Sequence, residues 1–143
     1  MKGRFSPKNP KKYDGDPTNI IYRSSYELKV MKYLDDNQNV ISWASEEFFI
    51  PYVSPVDNRY HRYYIDFKVK IKNKEGLIKT IIIEVKPFYQ TQEPKVQKRK
   101  TKRYIEEVVT YGVNQAKFSA ARAYAEERGW EFMILTENEL GIK

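Results

Sequence analysis

Between Arg62 and Lys72 the chain alternates strictly: Tyr63, Ile65, Phe67, Val69 and Ile71 hold the odd positions, and Arg62, Tyr64, Asp66, Lys68, Lys70 and Lys72 the even ones. A period of two marks a strand with one face in a core and one in water, so a strand is predicted here with Tyr63 and Phe67 inside. Asn73-Lys74-Glu75-Gly76 is a turn sequence, and Leu77 to Lys86 returns as a second strand. Its run Ile81-Ile82-Ile83 does not alternate, which predicts a central strand buried on both faces.

Helical spacing appears upstream, where Val30, Met31 and Leu34 follow Glu27 at three, four and seven positions behind a capping serine, Ser24. A strand is expected from about Val40 to Tyr52. A long helix is expected from about Thr101 to Arg128, with Ile105, Val108, Val109, Gly112, Ala116, Ala120 and Ala123 against the sheet and Gly129 as its stop. Trp130 to Thr136 reads as a last strand. The order is therefore αβββαβ, an α/β chain. Met1 to Thr18 is rich in Lys, Pro and Gly without apolar periodicity, and is expected to be a basic arm outside the core. Residues 19–143 then form a single domain, since 143 residues suffice for one core and not for two ordinary ones.

Charge narrows the partners. The formal charge of +7 favours a polyanion, with DNA the natural candidate. Without cysteine there are no thiolate sites, and the single histidine, His61, cannot build a multi-histidine centre, which leaves oxygen ligands for any metal. The N-terminal residues lack the apolar centre of a signal peptide, and no stretch reaches membrane-spanning length, so a soluble protein is expected.

On that strand pair the chemistry gathers. Glu84 and Lys86 are two apart and project from one face of their strand, and a hairpin can bring Asp66, the lone acid on a basic face, beside them. Two carboxylates and an ammonium in one place suit phosphodiester hydrolysis: Mg2+ takes carboxylate oxygens, water and substrate phosphate, with Mn2+ a substitute, and Lys86 can orient water or stabilise developing charge. A Glu-x-Lys pair is equally the pattern of a solvated hairpin face or a cross-strand ion pair. Glu27 has two readings, an inward acid that assists the metal and the last letter of a capping box begun by Ser24.

Contacts to DNA are expected from Arg23 and from Lys98, Arg99, Lys102 and Arg103, part of a run in which six of nine residues from Lys95 are basic. Such a run also fits a solvated helix start. His61 reads as a general base beside the metal or as a phosphate or loop contact at the start of its strand.

The constellation Glu27, Asp66, Glu84-Val85-Lys86 resembles the PD-(D/E)xK nuclease superfamily, with Ile65 where a proline often precedes the aspartate. That resemblance implies a restriction-endonuclease-like core, a central mixed sheet flanked by helices, and accessory roles for Gln115 and Lys117 on the long helix, which a plain polar face explains as well. Lys8-Asn9-Pro10, Asp16-Pro17-Thr18, Ile21-Tyr22-Arg23-Ser24, Ile50-Pro51-Tyr52, Ile83-Glu84-Val85-Lys86-Pro87 and Asn114-Gln115-Ala116-Lys117 extend the likeness over nearly the whole chain. They resemble the head-completion nucleases of contractile-tailed bacteriophages of the T-even type. This implies action on packaged DNA before tail attachment, capsid or portal partners, and a place in the host cytoplasm with retention in the virion. Two other readings stay open: a non-catalytic DNA-end or portal-binding protein, and a branched-DNA resolvase or transposon-end endonuclease.

Overall fold

The alternation between Arg62 and Lys72 persists in the computed structural model of the chain, which describes residues 2–141, but as two strands rather than one. Met1, Ile142 and Lys143, the ends of the expected arm and domain, lie outside the described residues. In chain order the elements are β1 (Gly3–Phe5), β2 (Ile20–Tyr22), α1 (Ser25–Asp36), β3 (Val40–Ser45), β4 (Phe49–Val53), β5 (Tyr60–Tyr64), β6 (Phe67–Lys72), β7 (Ile78–Val85), α2 (Lys102–Arg128), β8 (Glu131–Leu135) and α3 (Glu137–Leu140). Short 3-10 turns lie at Pro10–Lys12 and Phe88–Thr91.

The central sheet runs β3-β6-β7-β8, with the first two pairings antiparallel and β7–β8 parallel. It is therefore a mixed sheet flanked by helices, the restriction-endonuclease-like arrangement. Ile81 and Ile83 face a core built with α1 and β1–β3, whereas Ile82 faces a second core built with the C-terminal half of α2. The unbroken isoleucine run follows from that: β7 has apolar neighbours on both faces.

β4 and β5 pair apart from the central sheet, yet they continue the β3–β6 ribbon. Ser45 pairs with Phe67 and Phe49 with Tyr64, so four steps along one strand meet three along the other. The surplus residue bends the ribbon in the manner of a β-bulge, and Glu46 takes a left-handed φ of 54° at the corner. Glu46 N–H donates to the Asp66 carbonyl at 3.1 Å, and Ile65 N–H to that of Phe48 at 3.0 Å. The bend divides both expected strands, Val40–Tyr52 and Arg62–Lys72. It also carries the odd positions across the sheet, since Tyr63 and Ile65 join the α2 core and Phe67 and Val69 the α1 core.

The expected N-terminal arm is a correction. β1 pairs with β2, and Phe5 and Tyr13 are core residues. Tyr13 meets Trp43 edge-on at 4.7 Å, and its hydroxyl accepts from Ser45 N–H at 3.1 Å. The buried Asp35 carboxylate accepts the N–H groups of Lys8 and Asn9 at 2.8 and 3.0 Å, tying the segment to the end of α1. Burying two large aromatic side chains contributes roughly 1.5–3 kcal/mol each. The segment is too short and irregular to show a period, and its basic residues mask the two aromatics.

α2 keeps its expected ends, with Thr101 Oγ1 accepting from Tyr104 N–H and Gly129 at φ 71°. Its stripe needs correction. Tyr104, Asn114, Phe118, Ala121 and Ala125 are buried, while Ile105, Val108, Val109 and Ala123 are exposed. The helix is turned so that Tyr104, Asn114, Phe118, Ala121 and Ala125 share the inward face, and Ile105, Val108, Val109 and Ala123 lie around the helix from it.

Candidate active site

Glu84 has the parity of Ile82 and enters the α2 side of the sheet at the end of β7, where it is 5% exposed. The Tyr63 hydroxyl donates to its Oε2, and Lys86 Nζ lies 3.6 Å from its Oε1. Lys86 leaves the sheet just past β7, its own N–H donating to the Leu135 carbonyl at 3.0 Å, which anchors it to β8. Asp66 sits at the corner of the bent ribbon, and its Oδ2 accepts the Val85 N–H at 2.8 Å. A bulge beside a functional group re-aims its side chain, and here it brings Asp66 against the β7 end.

Both carboxyls are held above their usual range. For Asp66 the first cause is desolvation, followed by the neighbouring Glu84 charge, against which the Val85 hydrogen bond, and more weakly Lys86, act. For Glu84 desolvation again leads, opposed by the Tyr63 hydrogen bond and by the Lys86 and Lys117 charges. Two adjacent carboxylates with one close ammonium titrate as a pair. Tyr63, bonded to Glu84, is pushed well above the ordinary phenol range by burial and by the Glu84 charge.

Glu27 belongs to the cap of α1 and also lies beside the carboxylate pair. Ser24 caps α1 by accepting the Glu27 N–H at 3.1 Å, while Glu27 Oε1 accepts the Arg23 N–H at 3.0 Å, one residue before the position of a standard capping box. The same carboxyl is raised by burial and feels Glu46, Arg23 and Lys86, and it adds to the shift of Asp66. It therefore borders the site from the α1 side. Arg23 is there too, ion-paired to Glu46 and within the field of Glu27 and Asp66.

Lys117 arrives from α2, its ammonium 5.5 Å from the Tyr63 ring and 5.8 Å from that of Tyr52. Gln115 is half-buried, but two residues earlier it stands roughly 200° around the helix from Lys117. Lys98, Arg99, Lys102 and Arg103 are exposed, and among the described residues none is bonded to Asp66, Glu84 or Lys86. Arg103 pairs instead with Glu107 at 3.2 Å. His61 also stays apart from the carboxylates, with Nε2 2.8 Å from Asp57 Oδ2 at the far end of the hairpin.

Two residues escaped the sequence reading. Tyr63 occupies an apolar parity slot, so only its ring was legible. Glu46 carried no motif, and its place follows from the bend alone.

The donor set suits a hard cation. Asp66 and Glu84 are adjacent, desolvated and under-neutralised, and Arg23, Lys86 and Lys117 border them as cations. Among the described residues no group of three or more His, Cys, Asp or Glu is arranged to enclose an ion. Mg2+ needs no such cage, since one or two carboxylates with water and substrate phosphate complete its shell.

Residues 37–137 match the family of TnsA-like endonuclease N-terminal domains. That stretch contains Asp66, Glu84, Lys86 and Lys117 and begins after α1, which carries Glu27. The chain is also 39% identical over 142 residues to the head completion nuclease of Enterobacteria phage T4, an alignment that covers 96% of this chain and 92% of that one.

Proposed function

The chain belongs to the TnsA-like endonuclease family, within the restriction-endonuclease-like superfamily, and we propose that it is a metal-dependent DNA endonuclease of the PD-(D/E)xK type. The observation that supports this most is the desolvated pair Asp66 and Glu84 with Lys86 Nζ 3.6 Å from Glu84. A purely structural module has no use for two neighbouring carboxylates held out of water, which raise the free energy of the folded state unless a cation joins them.

Asp66 and Glu84 would hold Mg2+, or Mn2+ in its place. When bound, such an ion neutralises charge on the phosphate and acidifies water. Val85 N–H and the Tyr63 hydroxyl fix the two carboxylates, so their free oxygens are pre-aimed. Lys86, tied to β8 through its backbone, presents its ammonium to the attacking water or to the charge that builds on the phosphate. Glu27 would assist the metal or its water, while Arg23 and Lys117 would offer cations to phosphate oxygens.

Lys98, Arg99, Lys102 and Arg103 position DNA by its backbone and read no sequence. Removing these four charges is expected to weaken binding to every DNA sequence alike and to reduce the slope of log affinity against log salt by up to about four. Binding isotherms at several salt concentrations check this. An unchanged slope would return the run to a solvated surface.

The relative's name places that protein in head completion, and the same task is proposed here: action on packaged DNA before tail attachment, with capsid or portal proteins as partners, in the host cytoplasm and afterwards in the virion. Incubating the purified chain with supercoiled plasmid tests the chemistry. Nicking and linearisation are expected with Mg2+ or Mn2+ and none in chelator, whereas Ca2+, with its looser coordination, is expected to support binding and little turnover. Cleavage that persists in chelator would end the proposal.

A further inference from the structure

The outward face of the β4–β5 hairpin is covered by nothing in the fold. Phe49 pairs across the ladder with Tyr64, Pro51 with Arg62 and Val53 with Tyr60, and cross-strand partners share a face. All six are exposed, Phe49 and Val53 at 41%, Tyr64 at 46% and Tyr60 at 78%. The opposite parity, Ile50, Tyr52 and Tyr63, is spent on the α2 core. The strip is therefore an apolar and aromatic surface about 14 Å long on a rigid ribbon.

Charge and position indicate what lies on it. Arg62 is its one charged residue, with its guanidinium carbon 4.9 Å from the centre of the Phe49 ring. Among these six residues there is no carboxylate to repel a phosphate. Tyr64 at its near end is two residues from Asp66, which sets that end of the strip beside the corner that carries the carboxylates. Aromatic rings beside an arginine on an exposed sheet face stack unpaired bases while the cation meets the backbone. Paired bases within a duplex keep their faces against one another and cannot use such rings.

We infer that this face is a platform for unpaired nucleotides, with Phe49, Tyr60 and Tyr64 stacking bases and Arg62 holding phosphate. It deepens the nuclease reading, on which it rests, by naming the substrate class: DNA with a single-stranded stretch beside the scissile phosphate, such as a frayed end, a gap or a fork.

The test is binding in chelator, where no cutting intervenes. Full-length protein and the Phe49→Ala/Tyr64→Ala variant are titrated against fluorescein-labelled oligothymidylate and against a blunt duplex. Both positions are well exposed, and Tyr60→Ala, more exposed still, provides an independent variant. The double variant is expected to lose about tenfold or more in affinity for the single strand and to stay within about twofold on the duplex, with Tyr60→Ala following in the same direction. Unchanged single-strand affinity would overturn the platform, as would an equal loss on both DNAs. If the DNA affinities held while the variant failed to complete heads in a complementation assay, the face would belong to a protein partner and the proposal would fall. Plasmid nicking with Mg2+ is run alongside. Absence of any cleavage by the unsubstituted chain would remove the nuclease reading and leave the binding result to be judged by itself.

Discussion

Replacing Lys86 with methionine is expected to lower DNA cleavage about 100-fold or more while fold and DNA affinity persist, the scale on which loss of a preorganised charge in a transition state is felt. Methionine keeps most of the side-chain length and removes only the ammonium. Glu84 loses its nearest cation but keeps the Tyr63 hydroxyl and the Lys117 charge, and Asp66 keeps the Val85 N–H. Single-turnover cleavage and DNA anisotropy on the same preparation separate chemistry from binding. In an assembly assay the variant is expected to give no infectious particles. Full infectivity from a demonstrably cleavage-dead Lys86 variant would leave the DNA-end-binding role standing in place of the nuclease.

Asp66→Asn is expected to produce two effects of opposite sign. Cleavage falls by the same hundredfold order or more, because the carboxylate pair no longer has two charges for a cation. Thermal stability in chelator rises at neutral pH. The sign follows from proton counting. The folded-state affinity of Asp66 for its proton is raised, chiefly by desolvation and by Glu84, so between the ordinary carboxylate range and the raised value the native state binds more protons than the unfolded chain. In that window stability falls as pH rises. An asparagine keeps the shape and an acceptor for Val85 N–H without the charge, so the gain over the unsubstituted protein is largest above the window and vanishes as pH drops below about 4. Melting curves from pH 4 to 8, with and without Mg2+, test it. Mg2+ is expected to stabilise the unsubstituted protein and to leave the variant largely unmoved, and a variant less stable than its parent at neutral pH in chelator would contradict the account.

What the sequence disclosed, and what it hid, depends on whether a feature is local. The isoleucine run of β7 and the spacing of Glu84 and Lys86 are set by strand geometry within a few residues, and their shared face was legible. So were the caps of α2, because Thr101 and Gly129 act on their own neighbours. The bend was not: Val40 to Tyr52 and Arg62 to Lys72 keep apolar residues at strand spacing straight through it, and the surplus residue shows only when both strands are paired. With the bend hidden, Glu46 was hidden too, and Tyr63 passed for plain core. The α2 stripe failed for a different reason. Helical period fixes which residues share a face, but it does not say which face the fold buries, and the larger Tyr104 and Phe118 lie on the face that packs.

The corner at Asp66 is also a junction between two separately built halves of the molecule. Tyr63, behind Glu84, belongs to the core that α2 completes, and Phe67, just past Asp66, to the core that the N-terminal strands and α1 complete. During synthesis the chain emerges with Asp66, Glu84 and Lys86 already present, yet α2 and β8, the elements that supply Lys117 and anchor the Lys86 backbone, come last. The site is therefore completed by elements that follow its carboxylates in the chain: Lys117 on α2 and the Leu135 carbonyl on β8.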